Sequence, residues 1–458
     1  MDPIEGVSQA LGARATEFVR EHRLPGVAAA IVQGDRLAWF GGAGFSDIAS
    51  RRWPDSGTLY LIASITKTFT GTAIMQLRDA GALALDDPAS DHLPELRGAD
   101  ARFGPIETVT IRRLLSHEAG LMNDPPGTEW DEPRYQGDAK VNLADAASIA
   151  TMVPPNSQQK YSNLGYQLLG EIVSRVSGQP FDRYLTSRIL EPLGMSSTGF
   201  RPLAPELDAR RATGYGPRGF TDELAPAVEA PPSQAEGGLL SCVDDLARWI
   251  GFQLHPAGDE RDGVLSAATL REMHRPRYLG DAAWEEAFGI SWEAARRGDD
   301  VWIQHSGGLH GFTTNVCFDP RSGVGAIALF NGETSPGRLS MDLATIARDA
   351  VSAAPRPIEP PAPTPEAYRP LLGLYTATTH ELVVRLEWRD GALTFIDAGY
   401  PDEQRVLREA DGDDAFVIEP GNRESGEPVV FHRRADGHVH AVTVGPVRLA
   451  RLERVEPS

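Results

Sequence analysis

Cysteine is nearly missing: Cys242 and Cys317 are the only two in 458 residues. Two thiols cannot make a disulfide framework or a cysteine-type zinc site, and they read as two separate buried thiols. Basic residues are in deficit, 44 Lys and Arg against 64 Asp and Glu, for a formal charge of −20. Phosphate recognition needs a basic face, so nucleic acid is not an expected partner and an anionic membrane surface is disfavoured. A small anionic substrate stays open, because a pocket can be basic inside an acidic protein. Long apolar runs are lacking as well. "VAAAIV" at 27–32 falls far short of the roughly 20 residues that cross a bilayer. The start, "MDPIEGVSQALGARATEFVREH", is acidic and helical in period, without a basic region leading into an apolar one. It does not read as a secretory signal, and the expected location is cytoplasmic, with no membrane span. There is no P-loop and no G-x-S-x-G elbow, and His117-Glu118 has no second histidine at the H-E-x-x-H spacing. No metal and no organic cofactor is therefore expected.

What is present is an ordinary globular composition, 41% hydrophobic and 24% charged, on a chain long enough for two or three domains. Helical periodicity appears at 5–21, 66–80 and 164–177, the last followed by Gly178 as a C-cap. Strand-like runs appear at 27–33, 36–40, 312–318 and 324–330, paired by the turn signals "GD" and "DPRSG". Strands at both ends with helices between predict an antiparallel sheet whose edges come from distant segments, covered by helices, plus a helical lobe. "PRPIEPPAPTP" at 355–365 holds six prolines and reads as a semi-rigid linker. Beyond it, 366–458 alternates apolar and polar residues around Asp390-Gly391 and Asp436-Gly437, which predicts an all-β barrel or sandwich. The domains expected are 1–354, the linker 355–365 and 366–458.

Three short stretches carry chemistry. In "ASITKTFT" (63–70), Ser64 and Lys67 stand three apart at the start of an amphipathic helix. That spacing puts them on one face, where a lysine can help deprotonate a hydroxyl and the helix N-terminus favours developing negative charge. Alone, the pattern is also what any solvated helix start yields by chance. In "KYSNLGY", Tyr161 beside a lysine can act as a general base, and Asn163 can hold Lys67 and a substrate carbonyl. The competing reading makes Asn163 the cap of a helix that begins near Leu164. In "IQHSGGLHGF", His305 ends a strand, and Gly307 and Gly308 allow backbone to approach a ligand, where an N–H pairs with that of Ser64 as an oxyanion hole. The plain alternative is a tight loop with a surface histidine.

Taken together, the order and separations of these stretches resemble the serine β-lactamase and penicillin-binding-protein superfamily, with its S-x-x-K, Y-x-N and K/H-[ST]-G motifs. The nearest likeness is to class C-like members, the D-aminopeptidases and family esterases. "TVTIRRLLSHEAGL" (108–121), "ILEPLGMSSTGF" (189–200) and "GGLLSCVDDLARW" (237–249) are similar to the same family, over about residues 8–350. The resemblance implies an α/β (α+β) fold: a β-lactamase-like antiparallel sheet flanked by helices plus a helical lobe, then a C-terminal antiparallel β-barrel-like domain of lipocalin type. It implies a Ser64 acyl-enzyme, with Lys67 and Tyr161 moving the proton as a coupled pair. Asn163 and His305 would contact substrate, beside Gly307 and Gly308, and the N–H groups of Ser64 and Gly308 would hold the oxyanion. The implied partner is a small ester, amide or short peptide; a homo-oligomer is left open. An acyltransferase, a β-lactamase or a penicillin-binding sensor that stays acylated would use the same residues.

Two departures stand out. His305 occupies a position where many members carry lysine, which weakens any preference for a carboxylate-bearing substrate. If it did recognise an anion through charge, kcat/KM for such a substrate would fall above a pH of about 6.5. Asn156 stands where the superfamily often has glycine, and is expected to adopt the left-handed conformation. Two other signals have weaker claims. Trp130 and Tyr135 could line a cleft, and His438 with His440 could bind metal, although a cross-strand or solvated pair fits the histidines better.

Overall fold

The computed structural model describes residues 2–124, 143–217, 224–226, 235–254, 263–280, 283–298, 300–309, 311–335, 337–353, 363–377, 383–389, 391–397, 400–412, 414–419 and 425–452. The chain forms two compact units, Met1–Ala354 and Pro355–Ser458. Residues 355–362 of the proline-rich stretch, and Trp130 and Tyr135, lie outside the described residues.

The first unit is built on an eight-stranded antiparallel sheet. Its order is Arg36–Gly44, Gly26–Gln33, Val324–Phe330, Phe312–Asp319, Asp300–Leu309, Glu293–Arg297, Glu286–Phe288 and Tyr278–Leu279. The first strands of the unit thus pair with its last, in the register Val27↔Phe330 to Gln33↔Val324. Alternation assigns each residue a face. Val27, Ala29 and Ile31 meet the helices Pro3–Glu21 and Arg338–Ala353, whereas Ala28, Ala30 and Val32 meet the helical side. The first helix starts where Asp2 accepts a hydrogen bond from the Ile4 N–H at 2.9 Å.

The helix Thr66–Asp79 departs from expectation. It is not amphipathic but buried almost all round, as a central helix between sheet and lobe. Three of its buried threonines donate hydrogen bonds to carbonyls: Thr68 to Ile65, Thr70 to Ala235 and Thr72 to Thr68. Each hydroxyl is satisfied without water, so sequence polarity did not mean solvent exposure. Phe69 stacks on Trp249 of the helix Val243–Gln253, centroids 3.9 Å apart. Gly71 lets the chain pass a neighbour, since a Cβ there would lie 2.1 Å from Ser291 Oγ.

The second unit is a closed eight-stranded antiparallel barrel running in sequence order from Gly373–Thr376 to Val447–Arg451. Closure comes from Tyr375↔Arg451 and Thr376↔Ala450. Inward residues such as Val384, Leu386, Phe395, Phe431 and Leu449 form its core. Gly391 and Gly437 turn with φ of 80° and 85°. His438 precedes the strand Val439–Val444, and the ring nearer His440 is His432, centroids 6.5 Å apart. Among the described residues, no group of three or more His, Cys, Asp or Glu could hold a metal ion, and no helix is long and apolar enough to cross a membrane.

Candidate active site

Ser64 sits in the 3-10 turn Ala63–Ile65 that opens the central helix. Ala63 has φ of 46°, a left-handed value that costs a residue with a Cβ and is kept only where surroundings enforce it. Those surroundings are the strand Asp300–Leu309 and its neighbour. Thr314 Oγ1 donates to the Ile62 carbonyl at 2.9 Å. A Cβ on Gly307 would stand 2.2 Å from that carbonyl oxygen and 3.0 Å from Ser64 N, so glycine alone lets the strand lie against the turn. Gly308, the next residue, has open space where its side chain would be.

Lys67 is fully buried. Its Nζ donates to Ser64 Oγ at 3.1 Å, to Asn163 Oδ1 at 2.8 Å and to the Glu236 carbonyl at 2.6 Å. Three acceptors match the three N–H donors of an ammonium. The same nitrogen lies over the rings of Tyr161 and Tyr166, 5.0 and 5.5 Å from their centroids. The Tyr161 hydroxyl makes no hydrogen bond to Ser64 or Lys67 among the described residues, so this tyrosine meets the lysine through its ring.

Asn163 is free to hold Lys67 because it is not the helix cap. Ser162 takes that role in the helix Asn163–Ser177, accepting from the Gly165 N–H at 2.9 Å and donating to the Met122 carbonyl at 2.7 Å. The capping alternative for Asn163 is thereby overturned. Its Nδ2 donates to Asp124 Oδ1 at 2.9 Å. Asn156 has φ of 63°, as its place in the turn requires.

His305 is not a surface residue but is 4% exposed. Its Nδ1 lies 2.7 Å from the Ser306 carbonyl oxygen, which can only accept, so Nδ1 carries the proton and Nε2 is left as an acceptor. Burial, then the charge of Lys67, pushes its pKa down to about 3. Near neutral pH His305 is therefore uncharged in the free protein, which disfavours recognition of an anion through its charge. His305, His117 and Glu293 line a cavity of about 10 Å³, room for one water. Burial and Glu286 raise Glu293 to about 7.

The structure brings Ser64, Lys67, Tyr161 and Asn163 together, with Gly307 against the serine turn. It adds Asp124, Glu236, Tyr166 and His117, which sequence reasoning did not select. Tyr166 reads only as an apolar helix position, and the Glu236 contact is through backbone, which no side-chain pattern reveals. In sequence, His117 stands out only as half of an incomplete H-E-x-x-H zinc motif.

Comparison with known proteins follows the same outline. The Beta-lactamase family model matches residues 11–350. The chain is 28% identical over 319 residues to Protein flp of Staphylococcus aureus (strain COL), covering 68% of this chain and 61% of that protein. It thus spans about three fifths of the length of those relatives. It is 31% identical over 367 residues to Penicillin-binding protein 4 of Amycolatopsis lactamdurans, covering 78% of this chain and 94% of the relative. Among solved structures, the octameric penicillin-binding protein homologue from Pyrococcus abyssi superposes with a TM-score of 0.61 at 23% identity, covering 97% of this chain and 99% of that one.

Proposed function

The chain belongs to the beta-lactamase family, whose fold is that of serine hydrolases, and from that premise we propose that it cleaves an uncharged ester or amide through an acyl-enzyme on Ser64. The observation that carries this reading is the 3.1 Å hydrogen bond from Lys67 Nζ to Ser64 Oγ, with Lys67 held by Asn163 and Glu236 and closed off from water. A buried ammonium beside the hydroxyl stabilises the alkoxide that forms as the serine proton leaves.

In the proposed sequence, the coupled Lys67–Tyr161 pair enters one proton short, as ammonium with phenolate or as amine with phenol, and takes the Ser64 proton as Oγ attacks the substrate carbonyl carbon. The tetrahedral oxyanion lies against the N–H groups of Ser64 and Gly308. Collapse expels the alcohol or amine, which takes the proton from the same pair. Water then attacks the acyl-enzyme by the reverse route, and Ser64 is regenerated. The uncharged His305, with Nε2 as an acceptor, supports a substrate without a carboxylate at that position.

The test is intact-protein mass spectrometry with p-nitrophenyl butyrate, wild type beside Ser64→Ala. Turnover with a transient butyryl adduct that needs Ser64 is expected. Equal background release from both proteins, with no adduct from this ester or from an aminoacyl amide, would overturn the reading.

A further inference from the structure

His117 is attached to the Tyr161 segment at three points. Its carbonyl oxygen accepts from the Lys160 N–H at 2.7 Å, and its Nδ1 accepts from the Ser162 N–H at 3.2 Å. Between those two bonds its ring stacks on the Tyr161 ring, centroids 4.3 Å apart and planes 29° apart. The imidazole also stands 5.1 Å from the Tyr166 ring. These are the two rings over which Lys67 Nζ lies. The backbone of His117 has φ of 60°, and the residue is 6% exposed. A bulky residue adopts that φ only where its surroundings hold it.

We infer that His117 is a positioning residue: it grips the backbone on both sides of Tyr161 and fixes the plane of the phenol against the Lys67 ammonium. The inference rests on the reading in which Tyr161 shares the serine proton with Lys67. A phenol tethered only through its own Cα could swing about χ1 and χ2, because among the described residues its hydroxyl has no hydrogen bond to Ser64 or Lys67. The stack supplies the missing restraint. Since Nδ1 accepts the Ser162 N–H, the ring is neutral with its proton on Nε2. Burial, with Lys67, His305 and Lys160 nearby, favours that neutral form and holds the pKa well below the usual histidine range. The electrostatics and the hydrogen bond therefore agree.

Two variants separate the parts of the contact. His117→Phe keeps an aromatic face for Tyr161 but cannot accept from Ser162, and His117→Ala loses both. Turnover is measured per active site counted by a Ser64-directed phosphonate, so that misfolded protein drops out. The expected result is a fall in kcat of about 100-fold for His117→Ala and a smaller fall for His117→Phe, with KM nearly unchanged. The basic limb of the pH profile should shift in both. A structural role alone would lower Tm and the count of active sites but leave kcat per site and the pH profile as in wild type, which would overturn the inference. The ring current of His117 also gives a reading independent of activity. In protein carrying 13C-labelled tyrosine, the Tyr161 ring signal, identified through Tyr161→Phe, should move in His117→Ala. If wild type shows no Ser64-dependent turnover, the proposed function fails while this signal still decides on His117: an unmoved signal overturns the inference, and a moved one supports it.

Discussion

Lys67 Nζ and Asn163 Oδ1, 96 residues apart in sequence, meet at 2.8 Å inside the protein. That bond ties the central helix to the start of Asn163–Ser177, and it fixes one of the three directions in which the lysine donates. Asn163→Ala should leave a buried ammonium donor unpaired, at a stability cost of about 1–3 kcal/mol. Turnover should fall by at least about 10-fold as Lys67 loses its aim. Thermal unfolding and steady-state kinetics would check the two halves separately; a variant with wild-type kcat would show that Glu236 and Ser64 suffice to hold the lysine.

Gly307 and Gly308 are neighbours with opposite expectations. Gly307→Ala drives a methyl into the Ile62 carbonyl and towards Ser64 N, so acylation of Ser64 should drop by about 100-fold or more. Gly308→Ala meets open space and should keep its Tm within about 1 °C, consistent with a surface change. Burst kinetics with p-nitrophenyl butyrate would compare them, and equal losses in both would contradict the close approach at Gly307.

His305 makes a pH prediction by staying neutral. The ratio of kcat/KM for a carboxylate-bearing ester to that for its masked counterpart should be flat from pH 5 to 8, because His305 titrates near 3. Glu293, raised to about 7, lines the same cavity and gains a negative charge in this range, so the ratio is measured in a Glu293→Gln background. A ratio that falls between pH 6 and 7 would mean that His305 is protonated in the substrate complex.

His274 predicts acid sensitivity away from the site. It is half-buried against Trp292 and Phe318, its Nε2 donating to Gln253 Oε1 at 2.8 Å, and burial lowers its pKa to about 3. A lowered folded pKa means that the unfolded chain, near 6.5, takes up the proton first. Stability is therefore complete above about 6.5 and is lost as pH falls towards 3, on the order of 2 kcal/mol between pH 7 and 5. Urea unfolding at the two pH values would show the drop. His274→Gln should shrink it, and an unchanged drop in that variant would assign the acid sensitivity elsewhere.

Phe69 is stacked on Trp249, and both are fully buried. Phe69→Ala should cost about 3–5 kcal/mol, as large-to-small core changes do. Differential scanning calorimetry would read it as a marked fall in Tm; a shift under 2 °C would mean that the core closes around the gap.

Much of this was legible in the sequence where a local rule acts alone. The run Val324–Phe330, the Gly178 cap with φ of 70° and the left-handed Asn156 follow from period and backbone preference. The barrel followed from alternation and turn residues. Burial was less legible, because it depends on what the rest of the chain brings near. The threonines of the central helix read as an exposed face until carbonyl partners are known, and His305 read as titrating near neutrality until its enclosure by Lys67 and the sheet is seen. Ser162 and Asn163 show the same limit: both can cap a helix, and only the position of Lys67 decides which one does.

The pairing of Gly26–Gln33 with Val324–Phe330 has a consequence for the newborn chain. Ser64 and Lys67 are synthesised early, yet Asn163 and Glu236 come much later, and the strand that presses on the serine turn arrives only after residue 300. A chain still on the ribosome carries the proposed nucleophile but lacks the residues that hold Lys67 beside it. Reactivity is thus deferred until synthesis of the first unit is almost complete, and fragments released early should be chemically inert.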